Sequence, residues 1–82
     1  MSKASVLARI KDVGIVPVVR AESADEALRA IDAIREGGVD ILEITMTVPG
    51  AIRLIEEVSR RLGKDAVVGA GTVLDAETAR AC

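Results

Sequence analysis

Apolar residues recur along this chain with two alternating periods. From Ser23 to Gly38 the residues Ala24, Ala27, Leu28, Ile31 and Ile34 fall at helical spacing. Asp25, Arg29, Asp32 and Glu36 fall largely on the other side, giving one face to bury and one to solvate. Ser23-Ala24-Asp25-Glu26 has capping-box spacing and predicts the start of that helix, and Gly37-Gly38 supplies a left-handed stop. A second amphipathic helix is predicted with Pro49 in its first turn, where the N–H that proline lacks would have no partner. Ile52, Ile55, Val58 and Leu62 form its stripe, and Gly63 ends it. Asp75 reads as the N-cap of a further helix. An earlier helix is predicted from about Ser2 to Val13, with Val6, Leu7, Ile10 and Val13 on one side.

Between these helices lie three short apolar runs without helical period. They are Ile15-Val16-Pro17-Val18-Val19-Arg20, Ile41-Leu42-Glu43-Ile44-Thr45-Met46-Thr47, and a stretch that begins near Ala66 and continues through Val67-Val68-Gly69-Ala70-Gly71-Thr72. Strand starts at Ile15, Ile41 and Ala66 are 26 and 25 positions apart, a βα rhythm. A helix in each crossover forces neighbouring strands to run parallel, with a right-handed connection. Eight such units close into a barrel of roughly 200 residues or more. The 82 residues supply about three units. The expected fold is therefore α/β: the first three parallel βα units of a partial (β/α)8 TIM barrel, preceded by a helix that covers the barrel's bottom. Residues 1–82 are expected to form the amino-terminal part of one incomplete domain, since three parallel strands leave a bare edge and an uncovered sheet face.

Composition narrows the partners. Half the residues are hydrophobic and 29% are charged, the balance of a globular protein. With 11 basic and 13 acidic residues interspersed, a net charge of −2 provides no field to recruit nucleic acid or an anionic membrane, so neither is expected as a partner. No segment approaches the roughly 20 apolar residues that span a bilayer, and the amino terminus has no signal-peptide pattern. Cys82 is the sole cysteine and the chain has no histidine, which excludes a disulfide framework and a zinc site built from this chain; a cytoplasmic location is expected. The absence of aromatic residues excludes a base-stacking platform.

The candidate chemistry centres on Glu43. A carboxylate is costly to bury unpaired, so a glutamate inside an apolar strand signals either a partner or a chemical task. Strand alternation places Ile41, Glu43 and Thr45 on one face and Leu42, Ile44 and Met46 on the other, which suits packing on helices; Glu43 is thus expected to point inward. The same parity places Arg20 with Val16 and Val18, and Thr72 with Val68 and Ala70. Glu43, Arg20 and Thr72 are expected to converge near the carboxyl ends of adjacent strands, where a carboxylate moves protons, a guanidinium holds an anion and a hydroxyl orients a carbonyl. Structural readings stand beside these. Glu43 is alternatively a buried partner of Arg20, Thr45 and Thr72 satisfy backbone groups at strand ends, and Thr47 is by default the N-cap of the next helix. Gly69-Ala70-Gly71-Thr72 lacks the spacing of a dinucleotide fingerprint and the lysine of a P-loop; its glycines permit close approach of a helix or substrate, or a bend.

Taken together, Ile15-Val16-Pro17-Val18-Val19-Arg20-Ala21, Gly37-Gly38-Val39, Leu42-Glu43-Ile44-Thr45-Met46-Thr47-Val48-Pro49 and Val68-Gly69-Ala70-Gly71-Thr72-Val73 resemble the amino-terminal part of the 2-dehydro-3-deoxy-phosphogluconate (KDPG/KHG) aldolase family. The resemblance runs through nearly the whole chain. It implies a class I aldolase on a (β/α)8 barrel, usually a homotrimer and needing no metal or other cofactor. Such an enzyme reversibly cleaves 2-keto-3-deoxy-6-phosphogluconate to pyruvate and glyceraldehyde 3-phosphate, with 4-hydroxy-2-oxoglutarate as a second candidate substrate. In the family a lysine forms a Schiff base with the ketone carbon and a glutamate shuttles protons. Glu43 stands at that glutamate's position, Thr72 matches the threonine that holds the pyruvate end, and Arg20 is similar to a first-strand arginine found in part of the family. Some members carry a carboxylate-binding arginine where this chain has Thr47, which leaves anion recognition to Arg20, Thr72 and backbone N–H groups. Glu43 is thus the catalytic candidate, and Arg20, Thr45, Thr47, Gly71 and Thr72 the substrate-binding candidates. The family's lysine lies on a later strand than this chain contains: Lys3, Lys11 and Lys64 all fall outside apolar strands. The 82 residues alone are therefore expected to be inactive. Two other readings compete, a barrel epimerase or isomerase of sugar phosphates using Glu43 as a base, and a non-catalytic oligomeric scaffold.

Overall fold

The computed structural model describes residues 2–82. Its elements follow the predicted alternation: helix α1 (Lys3–Val13), strand β1 (Val18–Val19), helix α2 (Ala24–Glu36), strand β2 (Ile41–Thr45), helix α3 (Ala51–Leu62), strand β3 (Val67–Gly71) and helix α4 (Ala76–Ala81), with a short 3-10 turn at Gly63–Asp65 before β3. The strands form one open parallel sheet in the order β1-β2-β3. The fold class is α/β, as expected for the first units of a TIM barrel.

The register divides the two faces of the sheet. Val18 pairs with Glu43 and Glu43 with Gly69; Val19 pairs with Ile44 and Ile44 with Ala70. Paired residues share a face, so Val19, Leu42, Ile44, Val68 and Ala70 lie together. That face meets Ala27 and Ile31 of α2 and Ala51, Leu54, Ile55 and Val58 of α3 in a single apolar cluster. The opposite face carries no helix of that cluster, and Val18 on it remains 48% exposed. One side of the sheet thus packs on the helices, and the other, apart from the buried Ile41 and Thr45, is open.

Local signals set most helix ends. Ser23 Oγ accepts from the Glu26 N–H at 3.1 Å, as the capping-box spacing requires, and Asp75 Oδ1 accepts from the Thr78 N–H at 2.7 Å. After α2, Gly37 remains right-handed and Gly38 takes the left-handed φ of +96°. Helix α1 buries no residue, and Leu7 of its apolar stripe is 48% exposed. Polar contacts anchor it instead: Arg9 pairs with Asp40 and donates to the Lys64 carbonyl at 3.2 Å. Asp40 immediately precedes β2 and Lys64 shortly precedes β3, so α1 sits at the amino end of the sheet, the expected bottom.

Strand β1 and helix α3 differ most from expectation. Strand β1 is two residues long rather than six, and Ile15 is 58% exposed. Pro17 donates no N–H to a ladder, although its carbonyl still accepts from Glu43 N–H at 3.0 Å. Helix α3 starts at Ala51, not at Pro49, because Gly50 adopts φ +70° as the N-cap. Its buried stripe is Ala51, Leu54, Ile55 and Val58, with Ile52 exposed.

Leu42 is 1% exposed at the centre of the core. Its replacement by alanine is expected to destabilise the fold by about 2–5 kcal/mol in urea titration, and a loss below about 1 kcal/mol would contradict the core assigned here. The Asp75 carboxyl is held below its ordinary value of 3.8, chiefly by the backbone N–H of Thr78 and also by its hydroxyl. A carboxyl depressed in the native state stabilises above its unfolded value, and that contribution disappears as the pH falls through the lower native value. The Thr78 amide resonance is expected to titrate with a midpoint below 3.8, and Asp75→Asn to abolish the transition.

Candidate active site

The carboxyl ends of the three strands bring the candidate residues to one rim. Arg20 directly follows β1, Thr45 closes β2, and Gly71 closes β3 with Thr72 beyond it. The rim is tied beyond the last paired residues by Met46 N–H donating to the Gly71 carbonyl at 3.0 Å. Lys64 lies at the other end of the sheet, before β3, and Lys3 and Lys11 lie on α1.

Glu43 occupies the middle of the central strand and points to the open face, as strand parity predicts. Its side chain crosses to β3, where its carboxyl lies directly over the α-carbon of Gly71. Glu43 is half-buried. Among the described residues the sole buried side-chain nitrogen or oxygen without a partner is Arg35 Nε, so the Glu43 oxygens keep access to water. The alternative of a Glu43–Arg20 pair is not realised: the ion pairs among the described residues are Arg9–Asp40 and Arg60–Glu56, and Arg20 is exposed. Glu43 is thus a carboxyl near the strand rim, directed across the sheet and without an ion-pair partner among the described residues.

The threonines divide. Thr45 is fully buried, and its hydroxyl donates to the Val19 carbonyl at 3.3 Å. Its oxygen lies 2.7 Å from Thr47 Oγ1, and with the Thr45 proton committed to Val19, Thr47 is the donor. Thr45 therefore ties β1 to β2, the backbone-satisfying role among the readings open for it. Thr47 is not the cap of α3; that place belongs to Gly50, which offers no side-chain hydrogen bond. The loop Thr47–Gly50 and the first turn of α3, together with Met46, line an open hollow of about 430 Å³ that also includes Arg53.

Thr72 requires a correction of parity. The register places Val68 and Ala70 against the helices, so strict alternation from them would turn Thr72 away from Glu43. The strand ends first, and Thr72 takes a left-handed φ of +57°, alone among the described non-glycine residues. That conformation is uncommon and costly for a β-branched residue, and it marks the rim as a place of local strain. Gly71 was a candidate for close approach of substrate; the space over it is filled by Glu43. Sequence reasoning missed this contact because it joins two strands 28 positions apart through a side-chain rotamer. No group of three or more metal-ligating side chains gathers among the described residues, and no described helix is long and apolar enough to cross a membrane.

Residues 6–82 match the family described as "Aldolase: KDPG and KHG aldolase". The chain is 33% identical over 75 residues to a 2-dehydro-3-deoxy-phosphogluconate aldolase of Haemophilus influenzae, a match covering 88% of this chain and 34% of that protein. It is 38% identical over 63 residues to the enzyme of the same name from Zymomonas mobilis, covering 77% of this chain and 29% of the other. The KHG/KDPG aldolase of Escherichia coli is 34% identical over 61 residues, 74% of this chain and 28% of its own length. The chain thus spans about a third of the length of these curated relatives. With a match from residue 6 to residue 82, the chain belongs to the KDPG/KHG aldolase family.

Proposed function

We propose that these 82 residues are the amino-terminal portion of a class I aldolase that cleaves 2-keto-3-deoxy-6-phosphogluconate, or 4-hydroxy-2-oxoglutarate, to pyruvate and an aldehyde. Beyond family membership, the observation that supports this reading is the position of Glu43: central strand, helix-free face, carboxyl unpaired and directed toward the carboxyl rim. Retro-aldol cleavage needs a base for the hydroxyl proton and an electron sink at the ketone carbon. A lysine amine condensed with that carbon, with loss of water, supplies the sink as an iminium ion. As the carbon–carbon bond breaks, its electron pair flows into the iminium to give an enamine, while the hydroxyl proton passes to a carboxylate. Returning a proton to the enamine carbon and hydrolysing the imine releases pyruvate. Both proton transfers are assigned to Glu43. None of Lys3, Lys11 and Lys64 lies on the same face and rim, so the amine comes from residues outside these 82. Arg20 and Thr72, on the flanking strand ends, are assigned to the substrate's carboxylate and carbonyl oxygens, and Thr47 to the same rim.

The polypeptide encoded by the complete reading frame is expected to gain the mass of reduced pyruvate at one lysine when incubated with pyruvate and borohydride. An epimerase or isomerase working through Glu43 alone, or a scaffold, would gain none. The isolated 82-residue chain is expected to release no pyruvate from either substrate, and turnover by it would refute the assignment of the amine to residues outside it. Glu43→Gln in the complete protein is expected to lower kcat by about 10²- to 10⁴-fold while leaving the borohydride-trapped adduct able to form. Near-normal turnover by that variant would remove Glu43 from the chemistry.

A further inference from the structure

Gly71 is surrounded by an unusual circumstance for a strand glycine. Its φ is not in the left-handed region, so its backbone is one that any residue adopts. Yet a Cβ added there would overlap Glu43 Oε1 and stand 2.8 Å from Glu43 Cδ and 3.1 Å from Cγ. Gly69, the residue paired directly with Glu43, is different: a Cβ there would meet nothing nearer than the Leu42 carbonyl oxygen at 3.9 Å, ordinary contact. The missing methyl at Gly71 is therefore required by a side chain and not by the chain path.

We infer that Gly71 is a positioning residue: its bare α-carbon is the seat of the Glu43 carboxyl, and it fixes where that carboxyl acts. This rests on the assignment of proton transfer to Glu43 made above. Glu43 is in register with Gly69, while Gly71 is two residues nearer the carboxyl end of β3. The side chain consequently leans diagonally, away from β1 and Arg20 and toward the rim next to Thr72. Two consequences follow from that one direction. The carboxylate is kept from collapsing onto the Arg20 guanidinium, which would neutralise it as a base, and it is delivered to the end of the sheet where ligands meet parallel strands. The colliding atoms belong mostly to the flexible end of Glu43. A methyl at Gly71 should therefore leave the strand in place and move the carboxyl.

The test uses the complete protein. Gly71→Ala is expected to fold with an unchanged circular dichroism spectrum and to lower kcat by roughly 10²-fold, the scale of a lost general base, with little change in KM. Gly69→Ala is expected to keep kcat within a few-fold of the parent. In a Glu43→Gln background, Gly71→Ala is expected to cost nothing further, because a residue that acts only through the carboxyl has nothing left to position. A crystal structure of Gly71→Ala should show the Glu43 carboxyl displaced from β3. Full activity of Gly71→Ala beside an inactive Glu43→Gln, additive losses in the double variant, or an unmoved carboxyl would each overturn the inference. If Gly71→Ala does not fold, Gly71→Ala with Glu43→Ala should, because the colliding side chain is gone; failure of that pair to fold would also overturn it. Retained activity in Glu43→Gln would instead defeat the assignment of proton transfer to Glu43, and the displacement in the crystal structure would still decide whether Gly71 is the seat.

Discussion

Everything in this molecule hangs on β2 being bonded on both sides in one register. Val18–Glu43–Gly69 on one face and Val19–Ile44–Ala70 on the other are two consecutive rungs of the same ladder. Because side chains alternate with period two, a slip of one residue would carry Glu43 into the helix-packed core and Ile44 to the open face. The core resists that slip: Leu42 and Ile44 are almost wholly buried against α2 and α3, and an unpaired carboxylate in their place would be prohibitively costly. Hydrophobic burial on one side of the sheet therefore fixes the direction of Glu43 on the other, so that the stability of the fold and the orientation of this carboxyl are one constraint.

What could be read from the sequence was what short-range physics decides. Amphipathic spacing located α2 and α3, and the caps Ser23 and Asp75 announced themselves because a side chain three residues before an amide is a purely local geometry. The strand period gave the face of Glu43, since a single apolar neighbour pattern, Leu42 and Ile44, suffices to say which side is buried. The spacing of strands and helices gave the parallel sheet.

The misreadings share a cause. Thr47 looks like a helix cap by type and position, but its hydroxyl is claimed by Thr45, which itself holds the Val19 carbonyl on another strand. Gly50 takes the cap position through a positive φ that no residue pattern requires. Thr72 was assigned a face by extending strand parity one step too far, into a residue whose left-handed backbone ends the alternation. At Gly71 the space that a Cβ would take is occupied by the Glu43 side chain. In each case the deciding partner lies on a different element, or the deciding variable is a dihedral, and neither is written in spacing along the chain.

The unequal burial of the two sheet faces bears on when the site becomes a site. On the helix side Val19, Leu42 and Ile44 are packed to a few per cent exposure, with Val68 and Ala70 half-buried; on the other, Ile41 and Thr45 are buried, but Val16 and Val18 remain substantially exposed and Glu43 keeps contact with water. Water weakens every electrostatic interaction a catalytic group makes and competes for its protons. On the reading proposed above, the residues that bring the amine also bring the remaining walls, so the nucleophile and the exclusion of water arrive together. The 82 residues by themselves hold the Glu43 carboxyl over Gly71. On that reading the direction of the carboxyl is already set by the strand register and by the bare α-carbon of Gly71 beneath it.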